Sequence, residues 1–127
     1  MNAGLFLVDT HALLWALGEP SKLSSRAAAL IGDEENRLLV SVATLWELSI
    51  KQNVGKLELP EGFFDDLFGL GYERLAISDA HLTAYRALPL HHRDPFDRLL
   101  IAQAQVESMP ILTCDPKVAE YDVDVIW

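Results

Sequence analysis

The chain has 127 residues, half of them hydrophobic and 23% charged, which suits one soluble globular domain with a proper core. No apolar run approaches the roughly 20 residues of a membrane helix, Met1-Asn2-Ala3-Gly4 lacks the basic start of a signal peptide, and a lone cysteine excludes an internal disulfide and fits a reducing cytoplasm. The net charge of -9 opposes general binding of phosphate backbones, so a nucleic-acid ligand needs a cation and local Lys/Arg clusters, whereas a basic protein partner suits it well.

Leu5 to Asp9 reads as a first strand closed by an acid. Thr10 is the expected N-cap of a helix with Leu13, Leu14 and Leu17 on one face, stopping at Gly18-Glu19-Pro20. Ser21 or Ser24 starts a second helix through Ala28 and Ile31 to Gly32. Leu38 to Val42 has the composition of a buried parallel strand, and from Ala43 the period turns helical, with Leu45, Leu48 and Ile50 inward and a stop near Gly55. Glu61 to Leu70 predicts a short Phe-rich helix ended by Gly71, and Arg74 to Ile77 a short strand. Ser78-Asp79 caps a helix carrying Leu82, Tyr85 and Leu88 up to Pro89. Asp94-Pro95 opens the longest helix, with Leu99, Leu100, Ala102 and Val106 inside, to about Ser108. Ile111 to Cys114 is a further buried strand, Pro116 to Tyr121 a helical turn, and Val123 to Trp127 a last strand. Strands alternating with helices predict an α/β fold with a mostly parallel sheet and right-handed crossovers. No linker or repeat divides residues 1–127, which are read as one domain.

Four acids fall where strand passes to helix: Asp9, Glu47, Asp97 and Asp115. In an open parallel sheet those turns share one edge, where ligands bind. Carboxylates converging there repel unless a cation sits among them, and a hard divalent cation prefers such oxygen donors. Each acid also has a purely structural role open to it. Asp9 could cap the next helix, a task Thr10 and His11 could share, and Glu47 could be a surface residue beside Trp46. Asp94 before Pro95 matches a cap with proline at the first helical position. Asp97 is then the third helical residue, where the macrodipole favours its ionised form; a capping-box role is its alternative. Asp97 is favoured as metal ligand and Asp94 as cap, and Asp115 before Pro116 could likewise only cap. Cys114 is expected to be a buried, inert thiol, and His91-His92-Arg93 an exposed polar loop. Lys51, Lys56, Arg93 and Arg98 flank the acids and could locally attract phosphate. No Gly-rich phosphate loop, zinc spacing or nucleophile elbow is present.

Leu7-Val8-Asp9-Thr10-His11-Ala12-Leu13-Leu14-Trp15 resembles the opening motif of the PIN-domain ribonucleases, in particular the VapC-like toxins of bacterial toxin–antitoxin pairs. Ser41 to Lys51 resembles the family's second acidic motif, His91 to Ala104 its third and most specific, and Leu112 to Pro116 with Tyr121 and Val125-Ile126-Trp127 its fourth. The resemblance spans nearly the whole chain. It implies a three-layer α/β/α sandwich, a Mg²⁺- or Mn²⁺-dependent endonuclease acting on single-stranded RNA, a homodimer, and inhibition by a small antitoxin. Carried over by motif, Asp9, Glu47, Asp97 and Asp115 form the acidic quartet, with Asp9, Asp97 and Asp115 holding metal, Glu47 orienting water or completing a second site, and Arg98 or Lys51 steadying phosphate oxygens. Trp15, Phe63, Phe64 and Phe68 add more aromatic surface than a thin layer buries, which predicts a dimer groove that also takes an apolar antitoxin segment. Two other classes fit the acids: a Mg²⁺-dependent aspartate phosphoacceptor, although Thr113-Cys114-Asp115 offers no lysine for it, and a catalytically inactive binding module of the same fold.

Overall fold

In the computed structural model, which describes residues 4–127, five parallel strands form one sheet in the order β3-β2-β1-β4-β5. The strands are β1 Leu5–Val8, β2 Arg37–Ser41, β3 Glu73–Leu75, β4 Ile111–Leu112 and β5 Val125–Ile126. The helices are α1 Thr10–Gly18, α2 Ser25–Gly32, α3 Val42–Asn53, α4 Phe63–Gly69, α5 Asp79–Arg86 and α6 Pro95–Glu107. Leu7 stands opposite both Leu39 of β2 and Ile111 of β4, so β1 is the central strand. The chain builds outward from β1 to β2 and β3, then returns to β1's other side for β4 and β5. The order therefore reverses between β1 and β4, and the ligand crevice of such a sheet lies beyond the carboxyl ends of those strands.

Alternation along the strands divides the core in two. Leu7, Leu39 and Ile111 face α6 through Leu99, Leu100, Ile101 and Ala104. Val8, Leu38, Val40 and Leu112 face the opposite layer, through Ala12 and Leu13 of α1, Ala27 of α2 and Leu67 of α4. Helices thus cover both faces of the sheet, the arrangement that a fully parallel sheet requires. Among the described residues no helix is long and apolar enough to cross a membrane.

Several local expectations shift. Asp9, not Thr10, caps α1: its Oδ1 accepts from the Ala12 amide at 2.7 Å, and Thr10 becomes the first helical residue. Ser41 ends β2 and caps α3 through the Ala43 amide at 3.0 Å, so Val42 belongs to the helix. The last two strands pair over only two residues each, and the segment between them makes a short 3-10 turn, Val118–Glu120. On α5 the buried position is His81 rather than Leu82, which is 48% exposed, because α5 packs along α6 by the face of His81 and Tyr85. Val106 of α6 also lies outside. Trp15, Phe63, Phe64 and Phe68 are half-buried rather than openly exposed: Phe64 and Phe68 pack on the α1–α4 side of the core, and Trp15 meets Trp127 edge to face at 5.8 Å. The exposed aromatic is Trp46, at 59%.

Candidate functional site

The carboxyl edge of the sheet collects the acids that the sequence singled out. Asp9 follows β1 directly and is 7% exposed. Burial pushes its carboxyl up from the ordinary value, opposed by hydrogen bonds from Thr113 and the Ala12 amide and by His11, while Asp115 adds to the rise. Asp9 also pushes the Asp97 carboxyl up through its charge, so it lies near enough to act on that group. Asp9 therefore both caps and belongs to the acidic group.

Glu47 sits one turn into α3 and is buried. Its Oε1 accepts from the Thr10 hydroxyl at 2.7 Å, and its Oε2 lies 3.4 Å from the Lys51 ammonium one turn on. Thr10, displaced from the cap, becomes the residue that orients Glu47. Nothing in its sequence context signalled this, because the two are 37 positions apart and meet only when α1 and α3 share the sheet edge.

Asp94 takes the capping role that the helix-opening pattern predicts. Asp94 Oδ1 accepts from the amides of Phe96 at 2.8 Å and Asp97 at 3.1 Å, capping α6 with Pro95 in the first helical position. Asp97 points into the crevice. The helix start was expected to favour its ionised form; instead burial, then Asp94, and further Asp9 and Glu47, push its carboxyl up to about 7 against the opposing pull of His92. A carboxyl raised this far marks a group whose neighbours supply too little positive charge.

Asp115 lies three residues beyond β4, its Oδ1 taking the Lys117 amide at 2.9 Å in a turn and its amide bonded to Thr113 Oγ1 at 3.1 Å. Its Oδ2 meets His92 Nε2 at 3.1 Å, and the same nitrogen lies 3.0 Å from Asp97 Oδ2. His92, Asp97 and Asp115 thus offer one donor atom each within 4.8 Å of one another. His92 was expected in an exposed loop; its side chain is only 14% exposed and enters the acidic group. The signal for it was weak, since a polar His-His-Arg run has no periodicity to give it a direction.

Three further expectations change. Arg98 does not face the crevice: it is buried, its guanidinium lies 5.0 Å from the Tyr85 ring, and it donates to the Leu88 carbonyl at 3.3 Å. Cys114 is exposed rather than buried, because β4 ends at Leu112 and the chain turns before Cys114 can take a strand position. Partial burial and the Asp9 carboxylate push its thiol up, which keeps it a poor nucleophile. Lys56 and Arg93 are exposed and make no ion pair among the described residues, leaving Lys51 as the lysine beside the acids.

Among the described residues, His92, Asp97 and Asp115 bring donor atoms together, and Asp9 and Glu47 reach this group through their charge on Asp97. That set fits a hard divalent cation such as Mg²⁺ or Mn²⁺ and lacks the thiolates or multiple imidazoles of a zinc site.

The family model for the PIN domain matches residues 6–124. Comparison with curated protein sequences gives no match. Among solved structures the chain is similar to VapBC2 from Rickettsia felis bound to a DNA fragment from its promoter, at 17% identity and a TM-score of 0.72, covering 96% of this chain and 97% of that one. It is similar to FitAcB from Neisseria gonorrhoeae at 18% identity and a TM-score of 0.66, covering 96% of each chain. A toxin–antitoxin complex from Klebsiella pneumoniae matches at 18% identity and a TM-score of 0.64, over 98% of this chain and 97% of that one. At such identities the shared property is the fold.

Proposed function

The chain belongs to the PIN domain family, and from that membership we propose that it is a Mg²⁺- or Mn²⁺-dependent endoribonuclease of single-stranded RNA and the VapC-like toxin of a toxin–antitoxin pair. PIN domains are generally nucleases. The observation that carries the reading is Asp97, a carboxylate enclosed by Asp9, Glu47 and Asp94 and joined to Asp115 through His92 at the switch point of the sheet.

Asp9, Asp97 and Asp115 would hold the cation. A bound Mg²⁺ or Mn²⁺ supplies Lewis-acid polarisation of a phosphodiester and lowers the pKa of bound water. Glu47, fixed by the Thr10 hydroxyl, orients the attacking water through its carboxylate. Lys51, bridged to Glu47, offers its ammonium to a phosphate oxygen. Asp94 acts at one remove, through the first turn of α6 that presents Asp97. Four carboxylates at this edge fit metal-assisted hydrolysis.

One of the solved structures to which the chain is similar is a toxin–antitoxin complex, that from Klebsiella pneumoniae, which supports an antitoxin as partner. An apolar groove between α1 and α4, lined by Leu14, Leu17, Leu59, Phe63, Leu67 and Leu70, offers the surface for its apolar segment. The test is a cleavage assay on single-stranded and duplex RNA and DNA. Cleavage of single-stranded RNA with Mg²⁺ or Mn²⁺, abolished by EDTA, is the expected result. Full activity in EDTA refutes metal dependence, and preferential cleavage of DNA refutes the substrate.

A further inference from the structure

We propose that His92 is a positioning residue of the acidic centre, whose Nε2–H spans Asp97 and Asp115 and holds their carboxylates at the spacing from which they take a cation. The inference rests on the metal-dependent reading above.

Asp97 and Asp115 come from separate elements, the first turn of α6 and the turn after β4. Two carboxylates brought together from such different places repel, and nothing in either element alone sets their separation. His92 Nε2 lies 3.0 Å from Asp97 Oδ2 and 3.1 Å from Asp115 Oδ2, so one ring nitrogen ties both. The ring's other nitrogen decides what kind of tie it is. His92 Nδ1 receives the Asp94 amide N–H at 3.3 Å. A backbone N–H can only donate, so Nδ1 presents its lone pair and the ring's hydrogen lies on Nε2. The ring thus aims a donor, not a lone pair, at the two carboxylates. Direct metal ligation through Nε2 would require the hydrogen on Nδ1, pointing at the Asp94 N–H. Metal-bound imidazoles instead give their second N–H to an acceptor. The geometry favours a clamp over a ligand.

The loop that carries His92 is fastened so that the ring keeps this aim. The Tyr121 hydroxyl accepts from the amides of His91 at 3.0 Å and His92 at 2.9 Å, and the His91 ring meets Tyr121 edge to face at 5.0 Å. At the loop's start the buried Arg98 guanidinium holds the Leu88 carbonyl; at its end Asp94 caps α6. Both anchors belong to or adjoin the helix that bears Asp97, so the loop is fixed to the element that presents that carboxylate.

Mn²⁺ binding by calorimetry and thermal unfolding in EDTA, on wild type, His92→Ala and His92→Gln, test the clamp. Gln keeps an N–H donor at the reach of Nε2. The Ala variant is expected to bind Mn²⁺ about 10- to 100-fold more weakly and to melt lower in EDTA. The Gln variant is expected to recover most of both losses, and spin-echo spectra of bound Mn²⁺ to show no directly coordinated nitrogen. An Ala variant equal to wild type in affinity and melting overturns the clamp. Nitrogen coordination in wild type that vanishes in His92→Gln also overturns it, in favour of an imidazole ligand. A wild type that binds no Mn²⁺ overturns the metal reading and the purpose of the clamp together, and is told apart from the other failures by its lack of binding in every variant.

Discussion

Asp94 and Asp97 are the same residue type three positions apart, yet the backbone assigns them opposite tasks. Asp94 spends an oxygen on two amides of the first turn of α6, while Asp97 is left facing carboxylates. Replacing Asp97 by Asn is therefore expected to abolish Mn²⁺ binding and RNA cleavage with the fold intact, whereas Asp94→Asn, which still caps, retains most of both. Calorimetric binding that survives the first change and not the second would reverse the assignment. Asp97 also predicts a pH dependence. Its carboxyl titrates at about 7 in the folded protein against an ordinary 3.8, so between these values the folded state holds a proton that the unfolded chain has lost. Stability of the metal-free protein then falls as pH rises through that window, and the loss is complete above about 7. Because the group is partly open to solvent, the effect is on the order of 1–2 kcal/mol. Urea unfolding in EDTA at pH 5.5 and 7.5 should show it, and Asp97→Asn should flatten that slope.

At the scale of elements, α6 supplies Asp97 at one end and a structural polar network at the other. His81 of α5 is 2% exposed and completes a capping box with Ser78, its Nδ1 taking the Ser78 amide at 3.0 Å. Its Nε2 lies 2.8 Å from Glu107, and Gln103 reaches the Ala76 carbonyl at 3.3 Å beside it. These contacts fasten α5 along α6 by hydrogen bonds where the flanking helix offers few large apolar groups. His81→Ala removes a buried ring and a cap bond together, and is expected to cost about 2–3 kcal/mol in urea unfolding. Glu107 lies ten residues along α6 from Asp97, roughly 15 Å at the helical rise, so Mn²⁺ affinity should stay unchanged in the variant. A comparable loss of affinity would mean that the α5–α6 contact positions the acidic centre as well.

At the scale of the whole molecule, the unexplained surface is apolar. Trp46 packs edge to face on Phe96 at 5.1 Å yet is 59% exposed, and Leu82 beside it is 48% exposed. With Tyr85, Pro95 and Leu99 they line a shallow, almost wholly apolar pocket next to the acidic crevice. Exposed apolar patches of this kind mark interfaces, and this one replaces the helices of Trp15 and Phe64 as the face on which a homodimer is expected. Light scattering should give twice the 14.2 kDa chain mass, and Trp46→Glu should return the monomer. A monomeric wild type at tens of micromolar removes the homodimer and leaves the nuclease reading as it stands.

Sequence alone determined the parts of this protein that depend on local pattern. The apolar run Leu38 to Val42 read as a buried strand, which forms at Arg37–Ser41 with Val42 passing to the helix, and its alternation with helical periods predicted the parallel sheet. Four acids near strand ends were then expected on one edge, and Asp94-Pro95 at a helix start, because caps and proline act within a single turn. What the tertiary structure decided depends on residues distant in the chain. Thr10 fixes Glu47, Arg98 turns inward to Tyr85 and Leu88, and His92 joins Asp97 to Asp115. A hydroxyl, a guanidinium and an imidazole carry no periodicity in sequence. Each takes its partner from whatever donor or acceptor the packing of helices on the sheet brings within about 3 Å.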